Sequence, residues 1–158
     1  MFLNMTTQKT IETPFDIVHV LLNRQGDLAI AMSKSTMTNY AITIYNMEYN
    51  TTCFQFEFKG AYIKALEIQQ NNKGTIFSVV YSDGFKFFMI IFDKIKIIQT
   101  LDINAIVNLN YQEVQSKNQA PMINSVFLQN DDIFVNLIQV STMVNFHFIY
   151  SYKKEKIV

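Results

Sequence analysis

Apolar and polar side chains alternate one for one where Phe54, Phe56 and Phe58 interleave with Gln55, Glu57 and Lys59. A period of two marks a strand with one covered face. The same alternation runs through Val144, Phe146, Phe148, Tyr150 and Tyr152 against Asn145, His147, Ser151 and Lys153, broken only by Ile149. It predicts that these two segments occupy the same outer place in their units, with the stretch from Ile95 to Leu101 between them. Residues 17–22, 28–32, 40–45, 76–81, 87–92 and 133–140 are more continuously apolar and rich in β-branched and aromatic side chains, as suits strands covered on both faces.

Turn residues punctuate these runs. Arg24-Gln25-Gly26-Asp27, Asn71-Asn72-Lys73-Gly74, Ser82-Asp83-Gly84 and Gln129-Asn130-Asp131-Asp132 all tolerate left-handed or Asx-turn geometry. Asp83-Gly84, set between two apolar runs, predicts a tight type I′ hairpin. In register, the chain divides into three units of four extended segments, residues 15–59, 60–102 and 103–152, with inner strands starting at Ile17, Ile63 and Ile106. Residues 1–14 read as an N-terminal strand or arm, and residues 153–158, with Lys153, Lys154 and Lys156, as a solvated basic tail. Residues 112–121 form a polar loop closed by Pro121.

A second pattern overlies the third unit. Between Asp102 and Lys117, Ile103, Ile106, Val107, Tyr111 and Val114 fit one face of a helix with Asp102 as its N-cap. In that reading the third unit dissolves and the fold becomes a β-barrel or OB-like α+β domain.

The four-segment units, each about 45 residues long, resemble blades of WD40-type β-propellers over residues 15–152. The resemblance is architectural: the chain has no Trp, so the Trp-Asp ending is missing, and no unit opens with Gly-His. It implies an all-β fold of three four-stranded antiparallel blades and a role in holding other proteins. Because propellers close with about four to eight blades, it also implies completion from outside these three units. That completion is expected through a longer propeller, a protein partner or a second copy, using exposed sheet edges and faces.

Composition narrows the function classes. At 158 residues and 49% hydrophobic, the chain has the material for a sizeable core. Thirteen basic residues balance thirteen acidic ones, so there is no bulk positive field for nucleic acid or an anionic membrane. The single cysteine, Cys53, has no partner for an internal disulfide, and residues 1–6 lack a basic start and a long apolar stretch; the chain reads as intracellular, in the cytoplasm. The longest strongly apolar run, residues 85–92, contains Lys86 and falls short of the roughly 20 residues of a spanning helix.

No constellation for chemistry emerges. His19 and His147 are the only histidines and lie far apart in sequence. His147 is expected on the polar face of its strand, and His19 at a sheet end, hydrogen-bonded. Cys53 reads as a small side chain starting a strand, and Asp131-Asp132 as turn carboxylates. Metal-ligand spacings and phosphate-cradling glycine loops are lacking. The sequence therefore predicts a non-enzymatic protein-interaction or scaffold module, part of a larger propeller or multi-subunit assembly, with no catalytic, cofactor-binding or metal residue assigned. The alternative is an OB-like barrel subunit of a nucleic-acid complex, stacking bases on Phe85-Lys86-Phe87-Phe88.

Overall fold

The computed structural model describes residues 10–71, 74–111, 122–139 and 144–157. The chain divides into two compact units, Met1–Lys59 and Gly60–Val158.

The first unit is an antiparallel meander of β1 (Asp16–Leu22), β2 (Leu28–Lys34), β3 (Asn39–Asn46) and β4 (Thr51–Lys59), in the order β1-β2-β3-β4. Neighbouring residues of a strand point to opposite faces, so the unbroken burial of residues 28–33 and 40–45 places both faces of the two central strands out of water. One face carries Ile30, Met32, Ile42 and Ile44 with the half-buried phenyl rings of Phe54, Phe56 and Phe58; Tyr40 stacks on Phe58 at 5.6 Å. The other carries small side chains, Ala29, Ala31, Ser33, Ala41 and Thr43. The β1–β2 hairpin is tied by Asn23, whose side-chain amide donates to Asp27 Oδ1 and whose Oδ1 accepts from the Leu28 amide. Gly26 supplies the left-handed backbone of that turn, with φ of +73°.

The second unit holds two more sheets. β5 (Tyr62–Asn71), β6 (Gly74–Ser82), β7 (Phe87–Phe92) and β8 (Ile97–Asp102) pair in sequence order. The helix α1 (Ile103–Tyr111) follows without a gap. β9 (Met122–Gln129), β10 (Asp132–Gln139), β11 (Val144–Ser151) and the two-residue β12 (Lys156–Ile157) then form the third sheet, in the order β12-β11-β10-β9. The core of the unit lies between its two sheets. Val80, Met89, Ile91 and Leu101 from one meet Ile123, Val126, Leu128, Ile133, Val135 and Leu137 from the other, with Ile103, Ile106 and Val107 of the helix.

Several expectations from sequence need correction. Residues 104–110 are not an inner strand, and the third unit does not run from residue 103 to 152: its strands start at Met122 and reach Ile157. The helix prevails because Asp102 Oδ1 accepts from the Ala105 amide at 2.8 Å, and because Ile103, Ile106 and Val107, spaced one helical turn apart, are all buried. A strand would have turned Ile106 and Val107 to opposite faces. The helix does not convert the fold into a barrel or OB-like domain either, since residues 122–157 supply a complete sheet of their own. The 153–158 segment is not a free tail: Lys153 lies in a turn with its ammonium 2.6 Å from Asp131, and Lys156 and Ile157 pair with β11. Hence β11 is the third strand of its sheet, not the outer counterpart of β4.

The Asp83-Gly84 hairpin is wider than a two-residue type I′ turn. Residues 83–86 connect the strands, the Asp83 amide donates to the Lys86 carbonyl, and Asp83 Oδ1 accepts from the Phe85 and Lys86 amides at 2.8 Å each. The carboxylate satisfies the donors that a tight turn would have satisfied through the backbone. Asp93 does the same for Ile95 and Lys96, and Asn46 for Glu48 and Tyr49, so the β7–β8 and β3–β4 connections share one device. The two-residue connection at Asn130-Asp131 falls where the sequence placed a turn, with Asn130 left-handed at φ of +57°. Residues 1–9, 72–73 and 112–121 carry part of the expected arm, one expected turn and the polar loop; these lie outside the described residues.

Candidate interaction surface

The first strands of the second and third sheets are joined by side chains reaching across to main chain. Glu67 Oε2 accepts from the Leu128 amide at 3.3 Å, Gln69 Oε1 accepts from the Asn130 amide at 2.9 Å, and Lys64 Nζ donates to the Ile123 carbonyl at 3.5 Å while sitting 5.0 Å over the Phe87 ring. Burial pushes the Glu67 carboxyl above its ordinary value, against the opposing pull of the Leu128 amide and the nearby Ser78 hydroxyl. Sequence reasoning did not single these residues out. The signal was the alternation of Glu67 and Gln69 with Leu66 and Ile68 along the strand.

Among the described residues, the largest group of exposed large apolar side chains on one strand lies on β1, with a smaller one at Ile95, Ile97 and Ile98. Ile17, Val18, Val20 and Leu22 are 46%, 51%, 45% and 58% exposed. Continuous apolarity predicted a strand covered on both faces, and β1 departs from that rule. β1 pairs with β2 along one edge, and its other edge has no strand partner among the described residues. The corresponding first strand of the third sheet, β9, buries Ile123, Val126 and Leu128 to 7%, 3% and 2% exposure. The same kind of strand is thus sealed in one sheet and open in another.

A second open surface is the face of the third sheet turned away from the core. Cross-strand register puts Ser125 and Phe127 of β9, Phe134, Asn136 and Ile138 of β10, and Asn145, His147 and Ile149 of β11 on that face. Phe127 and Phe134 stack at 5.0 Å with rings 2° from parallel, and Asn136 donates to the Ser125 hydroxyl at 2.9 Å. All eight are half-buried or exposed, whereas Ile133, Val135 and Leu137, on the other face of the same central strand, are fully buried. Covering on both faces, predicted for residues 133–140, holds for only one.

The residues weighed for chemistry are scattered. His19 is exposed in the middle of β1, beside the bulge between Ile17 and His19; it is not at a sheet end. His147 is exposed on β11 and Cys53 on β4. Asp131 accepts from Tyr152 and pairs with Lys153, and its carboxylate holds the Lys153 ammonium above its ordinary value; burial raises the Tyr152 hydroxyl, with Asp131 adding to it. No group of three His, Cys, Asp or Glu side chains is placed to hold a metal among the described residues. The Phe85–Phe88 stretch splits rather than forming a platform. Phe85 is exposed at a turn, Lys86 pairs with Asp102 at 3.3 Å, Phe87 packs edge-on to Tyr62, and Phe88 stacks on Tyr81 from the opposite face.

Comparison with solved structures gives this arrangement a precedent. The β-propeller domain of the Trilobed protease from Pyrococcus furiosus, described as having an open velcro topology, matches over 90% of this chain and 42% of that one, with a TM-score of 0.58 and 17% identity. The sheets are propeller blades. A match to the Dos1 propeller covers 93% of this chain and 49% of the other, with a TM-score of 0.45 and 12% identity. No protein-family model matches the chain, and no curated protein matches it significantly. The chain therefore spans less than half the length of the propellers it resembles. No helix among the described residues is long and apolar enough to cross a membrane.

Proposed function

We propose that this chain is a non-catalytic protein-interaction module whose propeller blades act within a larger assembly. The observation that carries the reading is β1: four half-exposed β-branched and leucine side chains on a strand edge that lacks a partner strand among the described residues, in a fold that buries the apolar side chains of the first strand of its third sheet. A row of free backbone donors and acceptors flanked by apolar side chains suits docking of another protein surface. The balance of charge supports a protein partner over a polyanion. The dispersal of His19, His147 and Cys53 over three strands supports binding over catalysis.

A photo-crosslinking amino acid at position 20, compared with one at the exposed polar position Glu48, tests the reading in the cells that express the protein. Crosslinked protein adducts at position 20, absent at 48 and lost on Leu22→Glu, are expected. Equal labelling at both positions would overturn it.

A further inference from the structure

Resting on the interaction reading above, we infer that the partner of the β1 edge is β1 of a second copy of this chain, added antiparallel across a two-fold axis that passes by Val20. The strand carries the charge pattern that such a contact needs. β1 runs from exposed Asp16 through Ile17, Val18, Val20 and Leu22, each close to half-exposed, and the chain reaches exposed Arg24 two residues past the strand's end. Neither charge is spent inside the chain. Among the described residues Asp16 and Arg24 form no salt bridge, and Lys34, opposite Asp16 in register, holds its ammonium 4.9 Å over the Tyr40 ring. An edge that is acidic at its start, apolar along its length and basic beyond its end complements a strand of the same order running the other way. β1 is itself such a strand. Laid antiparallel on its own copy, it sets Asp16 against Arg24 of the other copy at both ends of the contact.

The backbone agrees with that register. The Asn23 amide donates to the Leu28 carbonyl at 3.0 Å, so by the alternation of an antiparallel ladder Leu21 and His19 also turn their main-chain groups toward β2, while Val20 and Leu22 turn theirs to the open edge. Setting Asp16 opposite Arg24 puts Val20 opposite Val20 of the other copy and Leu22 opposite Val18. The two-fold axis therefore falls on a residue whose amide and carbonyl are the ones open to exchange. A slip of one residue would set Val20 against Leu21, whose main-chain groups are already committed to β2. The contact also closes: it is the same patch on both copies and uses up the apolar edge of the first sheet, so two copies satisfy it. The other edge strand of that sheet, β4, exposes Thr51, Thr52, Gln55, Glu57 and Lys59, polar and charged side chains of the kind that keep edges unpaired.

The test is a charge exchange in the purified 158-residue chain. Asp16 and Arg24 are exposed, so Asp16→Lys and Arg24→Glu should both leave a folded chain by far-UV circular dichroism. Sedimentation equilibrium and native mass spectrometry should show the unaltered chain passing from 18.4 kDa to twice that mass as concentration rises. Each single variant should dimerise about tenfold more weakly, because two exposed ion pairs give way to two like-charge contacts. An equimolar mixture of the two variants should recover the affinity of the unaltered chain as a dimer of one of each, since the ammonium introduced at position 16 meets the carboxylate introduced at position 24 while native Asp16 meets native Arg24. Cysteines read the register separately. With Cys53→Ser, Val20→Cys should link two copies by a disulfide under mild oxidation and Leu22→Cys should not, because directly opposed residues that exchange both bonds lie about 5.5 Å apart at Cα and only position 20 faces itself. A folded chain that stays at 18.4 kDa at every concentration, single variants that dimerise as well as the unaltered chain, a mixture no tighter than its components, or equal disulfide formation at 20 and 22 would each overturn the inference. None of these results touches the wider reading: a chain that stays single yet crosslinks another protein at position 20 keeps the interaction role and loses only the second copy.

Discussion

Asp102 is the residue on which strand turns into helix, and its replacement separates the two interactions it makes. Its Oδ1 accepts from the Ala105 amide at 2.8 Å, the geometry of an N-cap, while Oδ2 faces Lys86 Nζ at 3.3 Å. Asp102→Ala removes both. Losing the cap costs about 0.5–2 kcal/mol, typically near 1. The ion pair contributes less, because the Lys86 side chain is 57% exposed and exposed pairs are worth about 0–1 kcal/mol. Asp102→Asn keeps a capping oxygen and deletes only the charge. Urea unfolding followed by circular dichroism is the assay. With a slope of about 1–3 kcal/mol/M, a loss near 1 kcal/mol lowers the midpoint by about 0.3–1 M. The alanine variant should show that shift, and the asparagine variant a smaller one that vanishes at high salt. If asparagine destabilises as much as alanine, the carboxylate is not acting as a cap, and the assignment of residues 103–111 to a helix on that ground fails.

Three other perturbations address the core, the seam and a turn. Leu137→Ala empties a fully buried position in the central strand of the third sheet and should cost about 2–5 kcal/mol in chemical denaturation; a loss below about 1 kcal/mol would contradict its place in the core. Glu67 has its carboxyl raised in the folded state, so its contribution to stability is present below the ordinary carboxylate value and declines as pH rises through the raised one. Glu67→Gln, which keeps an acceptor for the Leu128 amide, should therefore flatten the fall in stability between mildly acid and neutral pH, and unchanged pH dependence would refute a half-buried, raised carboxyl. Gly26→Ala forces a side chain into φ of +73° where no neighbour lies within 4 Å, so it should cost about 1–2 kcal/mol through backbone strain alone, with Gly26→Asn less costly by the same thermal melt.

The legible parts of the fold were those where local pattern and tertiary packing agree. Phe54, Phe56 and Phe58 alternate because β4 has one covered face, and the run at residues 28–32 is continuous because β2 is covered on both. The four-segment rhythm of the first two units carried through to their sheets. The third unit misled because Asn104-Ala105-Ile106-Val107 has the composition of a strand, and only the cap at Asp102 and the burial of Ile103, Ile106 and Val107 on one side of a helix decide otherwise. Three adjacent apolar residues, Ala105, Ile106 and Val107, do not reveal their period. The short β12 was hidden for another reason: Lys156 and Ile157 join the sheet through backbone bonds to β11, which side-chain pattern does not report.

The open surfaces were illegible in a more general sense. Nothing in the residues of β1 distinguishes it from strands that are covered, since Ile17, Val18, Val20 and Leu22 would serve equally well as core. Their exposure is a property of what stands beside the strand. A sheet buries its apolar side chains only where a neighbour stands against them, so an apolar strand with nothing beside it stays exposed. The side chains of β1 therefore read as interior in the sequence and stand at the surface of the chain. The seam residues Lys64, Glu67 and Gln69 show the complementary case: polar side chains interspersed with apolar ones along β5, which mark the place where a neighbouring sheet is already present. The β1 edge presents the opposite chemistry, apolar and half-exposed side chains on a strand whose outer edge has no strand partner among the described residues.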